Sequence, residues 1–161
     1  MSIKGLTSKG LREYALTLGL TFVSSYLFNF FWESVHSVWL YGGHNFSADQ
    51  YVRMVCYVSG VDALLVLGIF LFISLIWRNA FWIEKMNKIH VLVILITGVV
   101  IAGIVEYRAV YVLKEWRYGP NMPLILGIGL SPLIQIGLTG LLAFWLTGRL
   151  LYRKGPYFAE G

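Results

Sequence analysis

The 161-residue chain has a single cysteine, Cys56, so it can form neither an intrachain disulfide nor a thiolate metal cluster. Charge is scarce too: Asp, Glu, Lys and Arg together make up 13% of the residues. A soluble globular domain carries about 25%, so an ordinary water-facing surface is excluded. No glycine-rich phosphate loop, nucleophile elbow, Cys/His zinc spacing or nucleic-acid-binding motif is present. Two-residue alternation is missing, which argues against strands, and there is no internal repeat or low-complexity tract.

Apolar length takes the place of charge. The chain is 58% hydrophobic, with a mean hydropathy of +0.70. Four segments are long enough to cross ~30 Å of hydrocarbon at about 1.5 Å per residue. They run from about Tyr14 to Tyr41, Tyr51 to Trp77, Ile89 to Leu113 and Met122 to Tyr152. The connections Gly42–Gln50, Arg78–Lys88 and Lys114–Asn121 are short, which makes consecutive helices antiparallel neighbours. The expected fold is therefore all-α, a single domain over 1–161 built as an integral membrane bundle of four antiparallel transmembrane helices. Lys4, Lys9 and Arg12 before the first apolar run resemble the start of a signal peptide, but no small-x-small cleavage site follows. That run is expected to be retained as the first span.

The net charge of +5 could point to nucleic acid, but the bases are scattered over the ends of apolar segments, where they anchor the chain at anionic headgroups. Membrane lipids, and not nucleic acid, are the expected partners. One side collects Lys4, Lys9, Arg12, Arg78, Lys85, Lys88, Arg149, Arg153 and Lys154, against Arg53, Lys114 and Arg117 on the other. This asymmetry predicts a multi-pass protein with both termini in the cytoplasm. Trp39, Tyr41 and Tyr51 on the outer side, and Trp77, Trp82 and Tyr152 on the inner, are expected at the interfaces.

The fourth segment opens with Asn121-Met122-Pro123, a good helix start, and carries Gly127, Gly129, Ser131-Pro132, Gly137 and Gly140. Pro132 cannot donate to the carbonyl of Ile128, so a kink near mid-membrane is expected there. The freed carbonyl could line a site, or the small residues could serve close helix packing.

Chemistry gathers within the spans. Glu33-Ser34-Val35-His36 interrupts an apolar helix, and a charge in hydrocarbon costs at least ~2.5–3.5 kcal/mol on insertion scales. Glu33 and His36, three apart, share one helix face and together can hold, give or take a proton. By helical rise Glu33 lies about 12 Å and His36 about 8 Å from the outer end of helix one. Asp62 lies about 16 Å into helix two, and Glu106 about 10 Å from the outer end of helix three. Ser25, Asn29, Glu33 and His36 follow the helical period, as do Ser131, Gln135 and Thr139 on helix four. The outer half of the bundle is thus polar, while the inner half is nearly featureless. Arg108 is the only base well inside a span and the natural partner of Glu33, Asp62 or Glu106, though not readily of Glu106 on its own helix.

Glu33, His36, Asp62 and Glu106 are the acid/base candidates, with Asn29, Trp32, Arg108, Ser131 and Gln135 as binding residues. A structural network fixing helix register is the alternative. A metal site fits the sequence less well, because Glu-x-x-His occurs once and Glu106-Tyr107-Arg108-Ala109 is not a second copy. No metal and no cofactor are expected. His44 is assigned to the outer loop and His90 to the inner interface as an anchor; Trp116 to Pro123 forms either a rigid lid over the outer cavity or a turn with aromatic anchors.

Four spans in a chain of this size, with acids near the outer ends of helices one and two, resemble the emopamil-binding and sigma-2 receptor (EXPERA) family. A proline-broken fourth helix and the tail Arg149-Leu150-Leu151-Tyr152-Arg153-Lys154-Gly155-Pro156-Tyr157 add to the likeness, which is architectural. The resemblance implies sterol binding or isomerisation of a sterol double bond, with Glu33, His36, Asp62 and Glu106 in the acid/base roles. Three functions therefore stand as expectations. One is binding or cofactor-free isomerisation or cyclisation of a lipid-like sterol or isoprenoid. Another is proton- or cation-coupled transport, against which the featureless inner half counts. The last is a structural bundle, a homo-oligomer or a subunit of a membrane complex, packing through Gly127, Gly129 and Gly137.

Overall fold

The computed structural model describes residues 8–42 and 46–152. Lys4, His44 and the tail from Arg153 lie outside the described residues. Four helices are long and apolar enough to cross a membrane: α1 (Ser8–Trp39), α2 (Ala48–Ile76), α3 (Lys88–Tyr107, continued to Leu113 by a π-helical turn) and α4 (Leu130–Tyr152). The all-α membrane bundle is as expected. We call the end holding Ser8 and Tyr152 the terminal end and the opposite one the strap end.

Local chemistry sets the helix starts. Ser47 caps α2, its hydroxyl accepting from the Gln50 N–H while the Gln50 side chain accepts from the Ser47 N–H. Asn87 caps α3 by accepting from the N–H groups of Ile89 and His90, and His90 Nδ1 accepts in return from the Asn87 N–H at 3.2 Å. His90 thus takes the place that Glu or Gln usually fills. It is buried between Trp77 and Trp82, with ring centroids 4.9 and 5.2 Å away. Trp82 is no interfacial residue. It is 1% exposed, folds back into the terminal end and donates from Nε1 to Ser74 Oγ at 3.1 Å. Around it Ile69, Phe70, Ile73, Ile94 and Phe144 form the apolar core.

Two expectations about the fourth span fail. Helix α4 begins at Leu130, eight residues after Met122, because Leu126 (φ 51°) and Gly127 (φ 83°) turn the chain into a hairpin. That hairpin pairs β3 (Leu124–Ile125) with β4 (Ile128–Gly129); a second short pair joins β1 (Tyr41–Gly42) to β2 (Arg117–Tyr118). Pro132 consequently sits in the first turn of α4, where no helical carbonyl awaits its missing N–H. With no helix preceding it, Pro132 has nothing to kink.

The packing order also departs from chain order. Helices α3 and α4 pack most closely, followed by α1 with α2 and α1 with α4, while α2 and α3 scarcely touch. The α3–α4 contact is close because it is built on glycine: a Cβ at Gly98 would stand 2.5 Å from the Gly137 Cα. The separation of α2 from α3 leaves the cavity described next.

Candidate functional site

All four helices supply a wall. The cavity encloses about 100 Å³ and is open on one side. Helix α1 contributes Glu33 and His36, α2 Met54, Val58 and Asp62, α3 Ala102, Val105 and Glu106, and α4 Pro132 and Gln135. Tyr41 and Trp116 close the strap end. Its lining is mostly apolar with a few convergent polar groups, the make-up of small-molecule sites.

Gln135 is the hub. Its Nε2 stands 2.7 Å from Glu33 Oε1, 2.9 Å from Asp62 Oδ2 and 3.1 Å from Asn29 Oδ1. An amide nitrogen has two hydrogens and here faces three acceptors. Asn29 also accepts from Thr139 Oγ1 at 3.1 Å and donates from Nδ2 to the Ser25 carbonyl at 3.0 Å. Three helices are thereby tied at one depth.

Glu106 forms a second cluster nearer the strap. Its carboxylate accepts from Tyr41 Oη at 2.9 Å and Tyr118 Oη at 2.8 Å, and more loosely from Trp116 Nε1 at 3.5 Å. The β1–β2 pair brings both tyrosines to it, clipped by the Gly119 N–H to the Leu40 carbonyl at 2.7 Å. Burial first, and then the Glu106 charge, push the Tyr41 hydroxyl well above the ordinary phenol range, so it stays a donor. Burial raises Tyr118 likewise.

His36 lies between the clusters. It is 4% exposed, its ring centroid is 4.8 Å from that of Tyr41, and its Nδ1 is 3.7 Å from Glu33 Oε1. Neither ring nitrogen has a hydrogen-bond partner.

Of the residues singled out from sequence, Glu33, His36, Asp62, Glu106 and Gln135 meet around this cavity, and Asn29 joins them through Gln135. Trp32 is half-buried off the wall, and its Nε1 is buried without a partner. Ser131 is half-buried and not part of the lining. Arg108 is exposed, and among the described residues no ion pair includes it. Two residues on a helix lie about 200° apart, so an inward Glu106 turns Arg108 outward. Among the described residues no group of three or more His, Cys, Asp or Glu could hold a metal.

Sequence reasoning missed Tyr41 and Tyr118 as ligands of Glu106. It also missed the terminal half of α1, which it took for the inner one. Thr17 and Thr21 are fully buried and continue the Ser25–Asn29–Glu33 row by the same four-residue step, so extending that stripe would have found them. The expectation of a featureless inner half is wrong.

No family model, no curated protein and no solved structure matches this chain.

Proposed function

We propose that this membrane protein binds a lipid-like molecule, a sterol or isoprenoid, in the cavity between α2 and α3 and moves protons on it. The single observation behind this reading is His36. A buried imidazole with neither nitrogen hydrogen-bonded is expensive, since an unsatisfied polar group costs about 1–3 kcal/mol. A polar group of a ligand seated against that wall would remove the penalty. The walls of Met54, Val58, Ala102 and Val105 suit an apolar body, with Glu33, Asp62 and Glu106 at its polar end.

The chemistry is cofactor-free. One carboxyl gives its proton to a carbon–carbon double bond, leaving a cation, and a neighbouring carboxylate or His36 removes a proton from an adjacent carbon. The double bond has then shifted, or a ring has closed, with no net change of proton count or oxidation state. The architectural likeness to the EXPERA family belongs to the same proposal. Packing through glycine has a use within the chain: Gly137 takes the close approach of α3, and Gly129 lies against Tyr118 and Met122.

Native mass spectrometry of the purified protein tests the reading. Wild type should carry a lipid-like adduct, and Glu33→Gln and His36→Ala should release it. Retention in both variants would remove these residues as ligand contacts.

A further inference from the structure

The segment 114–121 crosses the strap end between the last turn of α3 and the buried Met122. Five of its residues, Lys114, Glu115, Arg117, Pro120 and Asn121, are exposed, and only Trp116, Tyr118 and Gly119 are half-buried. So little burial gives this strap no core of its own, and a few bonds hold it down. Its entry is a bend. Lys114 takes a left-handed φ of 56°, uncommon for any residue but glycine, and the Glu115 N–H closes the helix end on the Ala109 carbonyl at 2.9 Å.

Backbone bonds clip the strap to the end of α1, through the two-residue pairing of β1 with β2 and the Gly119–Leu40 bond. Its inward side chains meet at one group. Tyr118 Oη donates to Glu106 Oε2 at 2.8 Å, and Trp116 Nε1 approaches the same oxygen at 3.5 Å. Tyr41, opposite Tyr118 in the pairing, donates to Glu106 Oε1 at 2.9 Å. The Gly129 backbone also bonds the Tyr118 hydroxyl from the hairpin before α4. Hydrogen bonds to a carboxylate are roughly twice as strong as those between neutral groups, so Glu106 is the strongest side-chain hold on the strap. The same residue lines the cavity. One carboxylate is therefore both a wall of the site and the fastening of its cover.

We propose that the segment 114–121 is a lid latched through Glu106. Shut, it keeps Trp116 against Tyr41 over the strap end and bars water from the Glu33–Asp62–Gln135 cluster. It turns on the bend at Lys114 and on the buried Met122. Both oxygens of Glu106 already serve the lid, so a hydroxyl of a bound molecule that reaches either one competes with a phenol and frees the lid. This trigger rests on the reading of the cavity as a site for a lipid-like alcohol; the latch itself does not.

Trypsin tests the latch on the full chain in detergent. It cuts after Lys114 and Arg117 in the strap and after Arg78, Lys85 and Lys88 near the terminal end, and cutting follows how often a segment opens. Glu106→Gln keeps the shape but leaves one phenol without an acceptor, and it should speed strap cleavage about tenfold or more while the terminal-end sites keep their rate. Tyr118→Phe, which loses one donor and keeps its ring, should speed it less. Strap cleavage unchanged in both variants overturns the proposal, and so does an equal acceleration at all five sites, which would be unfolding of the bundle. In wild type, farnesol should speed strap cleavage and farnesyl acetate, which cannot donate, should not; equal rates with the two remove the hydroxyl as trigger. Lipid adducts measured on the same samples separate the readings. Adducts released by Glu33→Gln, with strap cleavage unchanged by Glu106→Gln, defeat the latch alone. Cleavage accelerated by Glu106→Gln, with adducts indifferent to Glu33→Gln, defeats the lipid site alone.

Discussion

Gln135 shows how much one uncharged side chain can organise in an apolar bundle. Its amide is the common donor for groups on α1 and α2, so its loss strands Glu33 and Asp62 together. Gln135→Leu is expected to destabilise the protein by about 1–3 kcal/mol, the cost of leaving buried acceptors unmade. A thermal unfolding curve in detergent matching that of wild type would contradict it. The phenols at Glu106 permit a second check. Their raised values mean the neutral, hydrogen-bonding form is favoured in the fold. Its contribution is complete below about pH 10 and is lost as pH rises through the raised values. Subtracting the ultraviolet titration of Tyr41→Phe from that of wild type should show no phenol ionising near pH 10. The Glu33–His36 pair was legible from sequence because helical spacing alone puts both on one face. Tyr41 and Tyr118 were not, because their reach to Glu106 depends on a strand pairing between segments far apart in the chain.

At the scale of elements, hydrophobic length identified four spans and could not place their ends. The run from Met122 reads as helix because Leu, Ile and Gly are all ordinary membrane residues. Only the positive φ at Leu126 and Gly127, a consequence of folding back beside Tyr111, makes it a hairpin. Tyr111 Oη donates to the Gly127 carbonyl at 2.6 Å, and Leu130 N to the Pro123 carbonyl at 2.8 Å, which holds the reversal in place. Small residues, by contrast, were rightly noticed, and one contact decides their weight. At Gly98 an added methyl would strike the Gly137 backbone, which cannot yield as a side chain can. At Gly103 the nearest atom is Leu133 Cδ2 at 3.6 Å, an ordinary contact. Gly98→Ala should therefore destabilise by about 1–3 kcal/mol or more, while Gly103→Ala should unfold within a few degrees of wild type. Equal melting temperatures for the two variants would show that α3 and α4 do not approach at this point.

For the whole molecule, the packing order α2–α1–α4–α3 has a functional consequence. Contact between every pair of chain neighbours would close the bundle on all sides, whereas separating α2 from α3 leaves a side of the cavity open. At about 24 cal/mol per Å³, leaving the enclosed 100 Å³ unfilled would cost roughly 2 kcal/mol. That is a sizeable fraction of a domain's net stability. On the proposed function, an acyl chain or a ligand body fills it. Filling the space covalently should then replace the lipid. Val58, half-buried on the α2 wall, can carry a larger side chain into it. In Val58→Trp the lipid adduct expected of wild type in native mass spectrometry should lose most of its intensity. Helix content by circular dichroism should be unchanged, and the thermal midpoint should become insensitive to added lipid. A variant that kept its adduct and its lipid-dependent midpoint would place the lipid elsewhere on the bundle, and the gap between α2 and α3 would have no claim to be its seat.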